Sequence, residues 1–378
     1  MKGPKGIGKT QYSTGLRRPP PEGVSGARGG ERSQSAKDAA SRGVHKEPRP
    51  QEGKAFRTLR PEDPDPRHYD PIAEVEHCAS LMERAYQLAA KRDATFVERI
   101  LRIAYRVDAA IGFDREATLA AVHLDFRRPY PIHHSLQKAI WAALLVRLRG
   151  DEEDVRVETT AAALTANVSI LKLQHDLEHQ DEALSDDQLS RMRRHPEMSA
   201  QLLETLGVEY ELWLRVVRQH HERLDGSGYP EGLSGDDVDV RALAVAFGDA
   251  FSAMITPRGY RKTVSPTQAL AELGRESGSV YPAEFVQRVL SALGVYVPGT
   301  LVRLDDGSTG IVIRKGEDPK KPKVVTLITA LGQRIFKPVS VDTASQYTPS
   351  LERALPVDAV DLPMNLSLIY GYTSDLGM

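Results

Sequence analysis

His220-His221-Glu222-Arg223-Leu224-Asp225-Gly226-Ser227-Gly228-Tyr229-Pro230 joins a doubled imidazole to a glycine-rich turn ending in Tyr-Pro. Neutral imidazole is a common metal ligand, and a helix end can aim two of them at one ion, although neighbouring helical side chains diverge by about 100°. Gly226 and Gly228 permit positive φ and close approach of backbone to a ligand, and Tyr229 can stack or orient the turn. A plain loop would use the same glycines. It would not need two histidines and a glutamate immediately before it.

The flanking sequence delivers this string from a helix. Glu209 to Glu222 reads as one, with Leu212, Leu214, Val216 and Val217 inward. Upstream, Ser185 and Gln188 form a capping box that starts the helix carrying Met192 and His195-Pro196. Downstream, Val238 to Met254 is nearly all apolar and is expected to run through the middle of a bundle. Asp249 lies inside that run, where a carboxylate is costly unless a cation or hydrogen-bond donors compensate it. With His195, His220 and His221 it suits iron, manganese or zinc. Further helices are expected from Pro131 through Leu148, from Thr160 through Ile170, from Ser265 to Leu273 and from Pro282 to Leu293.

Outside this region the pattern changes twice. From Pro71 to Leu124 apolar residues recur at helical spacing, compatible with a lead-in, a regulatory module or a dimer surface. After residue 297, Thr300–Leu304, Gly310–Ile313 and Val324–Ile328 read as short strands. The expected organisation is a disordered basic arm (1–70), a helical module (71–128), a helical domain (129–296), a small β-rich appendage (297–345) and a C-terminal tail (346–378). Gly3 to Thr10 formally matches a phosphate-cradling loop, but with two residues before it no strand can deliver it to a helix.

Composition narrows the partners. The 378 residues are 40% hydrophobic and carry a formal charge of −2, so no global positive field argues for DNA. Cys78 stands alone, which excludes an intramolecular disulfide and fits a reducing, cytoplasmic setting. The longest uncharged stretches fall far short of the roughly 20 residues a membrane span needs.

His195-Pro196, the His220 to Pro230 string, Asp249 and Arg258-Gly259-Tyr260-Arg261-Lys262 together resemble the HD-GYP family of cyclic-di-GMP phosphodiesterases. The likeness covers roughly residues 130 to 295. It implies an all-α, HD-type helical bundle that binds divalent metal and acts on a cyclic dinucleotide. It also implies that His134 and Asp249 serve one metal position while His195, His220 and His221 hold the neighbouring one. Gly226, Gly228, Tyr229, Arg258, Arg261 and Lys262 would contact substrate, with Glu222 and Asp225 organising the site behind the ligands. Gly259 stands where that family usually has proline.

The resemblance fails where the family's own His-Asp dyad should be. Counting back 29 residues from His195, that register lands on Ala166-Asn167; Ile170 replaces a usual lysine, and Tyr130 replaces a glutamate found in some members. The dyad carboxylate normally bridges two ions and offsets their repulsion. Asn167 offers a neutral carbonyl and Ala166 nothing, so one ion is expected, iron or manganese. His175-Asp176, nine residues downstream of the dyad register, would lie about 13 Å further along a continuous helix. The leading expectation is a degenerate HD-GYP domain that binds metal and a cyclic dinucleotide or a protein partner, including a second copy, with absent or reduced hydrolysis. The alternatives are an active phosphodiesterase with a single or rearranged metal site, and a structural scaffold.

Overall fold

The computed structural model describes residues 59–61, 65, 67–125, 127–178, 180, 182–257, 263–360 and 365–372. The expected basic arm, apart from a few residues next to the first helix, lies outside these residues, as do Arg258, Arg261 and Lys262.

Local chemistry sets each helix boundary. Asp70 accepts from the backbone N–H groups of Ile72 and Ala73, and Pro71 opens α1 (Pro71–Ala90). Helix α2 (Phe96–Leu124) breaks its dihedrals at Asp114, whose carboxylate recaps the chain by accepting from Glu116 and Ala117. Helix α3 (Tyr130–Arg149) starts with Pro131 in its first turn and ends at Gly150, which takes φ 92°. Helix α4 (Glu153–Thr165) is followed by a short 3-10 turn (Val168–Ile170) and α5 (Leu171–Glu178). Helix α6 (Asp186–Thr205) opens on the Ser185–Gln188 capping box, and α7 (Glu211–Gln219) is short and strongly two-faced. Helix α8 (Val240–Ile255) is buried along almost its whole length; α9 (Pro266–Arg275) and α10 (Ala283–Leu293) complete the bundle.

One apolar core runs from Val75 to Val297, so α1 and α2 share it with the helices that follow. At its centre α3 and α8 approach closely. A Cβ on Gly248 would lie 2.6 Å from the Lys138 carbonyl oxygen, so only glycine allows this spacing, which carries Asp249 up to α3.

The C-terminal region forms one antiparallel sheet of β1 (Leu301–Leu304), β2 (Thr309–Arg314), β3 (Lys323–Ile328), β4 (Arg334–Asp342) and β5 (Leu351–Leu355), in the order β4-β3-β2-β1-β5. The expected boundary at 345 is therefore too early: β5, then α11 (Leu366–Tyr370), belong to what the sequence suggested was a tail. Leu-Glu-Arg-Ala-Leu in an edge strand buries little and shows no apolar run, so its pairing with β1 leaves no pattern to read. The sheet is fastened to the bundle by Arg314 on Asp114 and Glu116 at the α2 break, and by His123 Nδ1 donating to the Pro298 carbonyl at 2.9 Å.

Two helix boundaries also differ from expectation. Helix α4 begins at Glu153 rather than Thr160 and stops before Asn167, because its first turns are charged and half-buried and show no apolar stripe. Helix α7 ends at Gln219, which releases His220 and His221 from helical geometry.

Candidate metal centre

Three histidines converge from two helix interruptions. Pro196 lies within α6 and has no N–H, so it leaves the carbonyl of Met192, four residues earlier, without its helical donor. His195 Nδ1 supplies the missing hydrogen bond to that oxygen at 2.6 Å. The end of α7 orphans the Val217 carbonyl in the same way, and His220 Nδ1 donates to it at 2.7 Å. Both rings are thereby fixed as Nδ1–H tautomers, each with its lone pair on Nε2. Those two Nε2 atoms face each other at 3.1 Å.

Two acceptors at that separation repel unless a cation lies between them. Both imidazoles are fully buried, and burial holds their pKa values well below 6.5, so no proton fills the role at neutral pH. His221 completes the cluster: one nitrogen from each of His195, His220 and His221 lies within 4.8 Å of the others. Burial lowers its pKa to about 4, and its ring stacks on Tyr229 with centroids 4.6 Å apart. Nitrogen donors that are neutral, convergent and preset in tautomer fit a divalent transition metal.

The loop behind the cluster is held by Glu222. Its buried carboxylate accepts from the backbone N–H groups of Glu231, Gly232 and Leu233 at 2.7 to 3.1 Å. Gly228 closes the loop onto the helix end, where a Cβ would lie 2.5 Å from the Glu222 Cα; Gly226 takes φ 74°. The Tyr229 hydroxyl and one terminal nitrogen of Arg223 are buried without a hydrogen-bond partner among the described residues. Asp225 is exposed and accepts from the Ser227 backbone and hydroxyl, which shapes the turn without reaching the histidines.

Beside this cluster lies a second polar locus. His134 Nε2 donates to Asp249 Oδ1 at 3.0 Å, its Nδ1 pairs with the Ser252 hydroxyl at 2.9 Å, and its ring stacks on Tyr130. Lys138, one turn further along α3, is wholly buried. Its ammonium donates to Asn167 Oδ1 at 2.7 Å and lies 3.5 Å from Asp249 Oδ1. Burial alone would raise the Asp249 pKa, yet His134 and Lys138 hold it well below the usual carboxylate range. Ala166 contributes a buried methyl and Ile170 a buried side chain. His175 and Asp176 are exposed on α5, where Asp176 pairs with Lys172 at 2.8 Å, so neither substitutes for the missing dyad.

Lys138 and Ser252 did not stand out in the sequence. The signal was present: Lys138 follows His134 by four residues and directly precedes the wholly apolar run from Ala139 to Val146. The reasoning that singled out Asp249 in α8 applies equally to it.

Residues 118–284 match the family described as HD domain. Similar chains carry names from cyclic-dinucleotide signalling. A cyclic di-GMP phosphodiesterase of Pseudomonas aeruginosa is 28% identical over 279 residues, 71% of this chain and 67% of that protein. The cyclic di-GMP phosphodiesterase PdeB of Borreliella burgdorferi is 23% identical over 238 residues, 62% of each. A 3'3'-cGAMP-specific phosphodiesterase of Vibrio cholerae is 27% identical over 148 residues, 39% of this chain and 32% of that protein. The chain thus spans about two thirds or less of the length of these relatives. No helix among the described residues is long and apolar enough to cross a membrane.

Proposed function

We propose that this chain is an HD-GYP-type protein of cyclic-dinucleotide signalling that holds one divalent ion, iron or manganese, on His195, His220 and His221. It binds cyclic di-GMP or a related cyclic dinucleotide, with hydrolysis reduced or absent. The observation that carries this reading is the contrast between a complete three-histidine cluster and a dyad register filled by Ala166 and Asn167, the latter already engaged by Lys138.

The ion, when bound, would polarise a phosphodiester oxygen and neutralise its charge. The chain's own residues do the rest. His195 and His220 keep their protons on Nδ1, bound to backbone carbonyls, so neither can serve as an acid or base towards substrate without giving up its orientation. Glu222 spends its carboxylate on three backbone amides and fixes the loop that presents Gly226, Gly228 and Tyr229. One Arg223 nitrogen and the Tyr229 hydroxyl are buried donors without a partner among the described residues, which suits an anionic ligand. Arg258, Arg261 and Lys262 supply three further cations from the connection after α8. A second carboxylate to bridge paired ions is missing from this set, which is why turnover is expected to be weak.

The test combines anaerobic metal analysis with cyclic di-GMP binding and turnover in added iron or manganese. The expected result is one ion per chain, micromolar or tighter nucleotide binding, and little turnover. Rapid turnover abolished by His221→Ala would instead establish an active phosphodiesterase, and absence of both metal and nucleotide binding would leave the scaffold reading.

A further inference from the structure

We propose that Lys138 is a built-in cation that takes the place of a second metal ion and limits this centre to one. The proposal rests on the single-ion reading above and names the residue that enforces it.

Next to the three histidines, the buried groups best able to ligate another ion are Asp249 and His134. One oxygen of Asp249 and both ring nitrogens of His134 are already engaged. Asp249 Oδ1 accepts from His134 Nε2 at 3.0 Å and faces the Lys138 ammonium at 3.5 Å. The same ammonium reaches Asn167 Oδ1 at 2.7 Å, so it is placed between two acceptors with no solvent access. A divalent ion bonded to Asp249 at about 2 Å would lie within a few ångströms of the Lys138 ammonium, whose charge the same carboxylate sustains against burial. Either the ion or the ammonium can compensate the buried carboxylate, and the fold already carries the ammonium.

Asn167 suits this arrangement better than aspartate would. Its neutral carbonyl satisfies the ammonium without adding a second negative charge, so Lys138 and Asp249 balance one to one. Replacing Asn167 by aspartate therefore produces a second ion pair with Lys138, and no vacant ligand. Restoring the dyad alone should fail to restore a second ion, whereas removing the lysine at the same time should succeed.

The experiment measures bound manganese per chain after equilibration with manganous ion and removal of excess. Wild type is expected to hold one ion, and Ala166→His with Asn167→Asp is expected to stay at one while Lys138 is present. Adding Lys138→Ala to that pair is expected to raise the count to two. Two ions in the double variant, or one in a folded triple variant, would overturn the proposal. A metal-free measurement covers the case in which the triple variant fails to fold. Lys138→Met should lower the melting temperature by several degrees, and Asp249→Asn in the same chain should recover part of that loss. No loss, or no recovery, would overturn the proposal. If wild type holds no ion, the single-ion reading fails, but this thermal pair still decides the role of Lys138.

Discussion

The two polar loci of this site hold similar side chains in opposite states. At the three-histidine cluster, helix interruptions at Pro196 and Gln219 leave two carbonyls that lock the imidazoles with lone pairs facing inward. At the neighbouring locus the imidazole of His134 directs a proton at Asp249, and the Lys138 amine faces the same carboxylate, which opposes the lowering of its pKa by burial. One locus converges lone pairs suited to a cation; the other sets an amine against a carboxylate. Counting histidines and carboxylates does not separate these states, whereas the direction of each proton does.

The comparison is broken most directly by removing one imidazole from the three-histidine cluster. His220→Ala should weaken metal binding by roughly 100-fold or more, since even partners behind the ligands are worth 10- to 100-fold. Metal content unchanged by calorimetry or elemental analysis would show that the imidazoles serve another purpose. Gly228→Ala attacks the same cluster through its loop. The added methyl meets backbone at 2.5 Å, so the variant should lose about 1–3 kcal/mol of stability and much of its metal affinity. A denaturation midpoint equal to wild type would mean that the loop gives way freely.

Acid should also act on the cluster. His123, His133 and His221 have pKa values lowered to about 4 by burial, and burial holds His195 and His220 well below 6.5 as well. Each binds a proton near pH 6.5 when unfolded but only at lower pH when folded. The unfolded chain therefore holds more protons in that window, and stability falls as pH drops through it. Glu158, pushed up to about 7 by burial, works the other way but is outnumbered. The metal-free protein should melt at least about 5 °C lower at pH 5 than at pH 7. A flat profile would mean that these imidazoles are hydrated. The smallest effect is expected from His175→Ala with Asp176→Ala, which should leave metal content unchanged because both side chains face solvent. A fall in metal content would return that pair to the site.

Much of this was legible in the sequence because it is written as periodicity, caps and breaks. The apolar run of α8, the Ser185 box of α6 and the His220 to Pro230 string placed the bundle and the three clustered histidines. The tautomers were not legible, because they depend on which carbonyl each ring meets after the helix is broken. Nor was β5, whose edge position gives it no apolar pattern. Lys138 was overlooked for a different reason. A lysine is ordinarily read as a solvated charge, and only its contact with Asn167 and Asp249 reveals that the missing dyad and the buried cation form one compensated arrangement.

The central claim is the proposal that the Lys138 ammonium limits this centre to one ion. Saturating the wild-type chain with manganous ion and counting the metal retained tests it most directly. The account predicts one ion per chain, and two would contradict it.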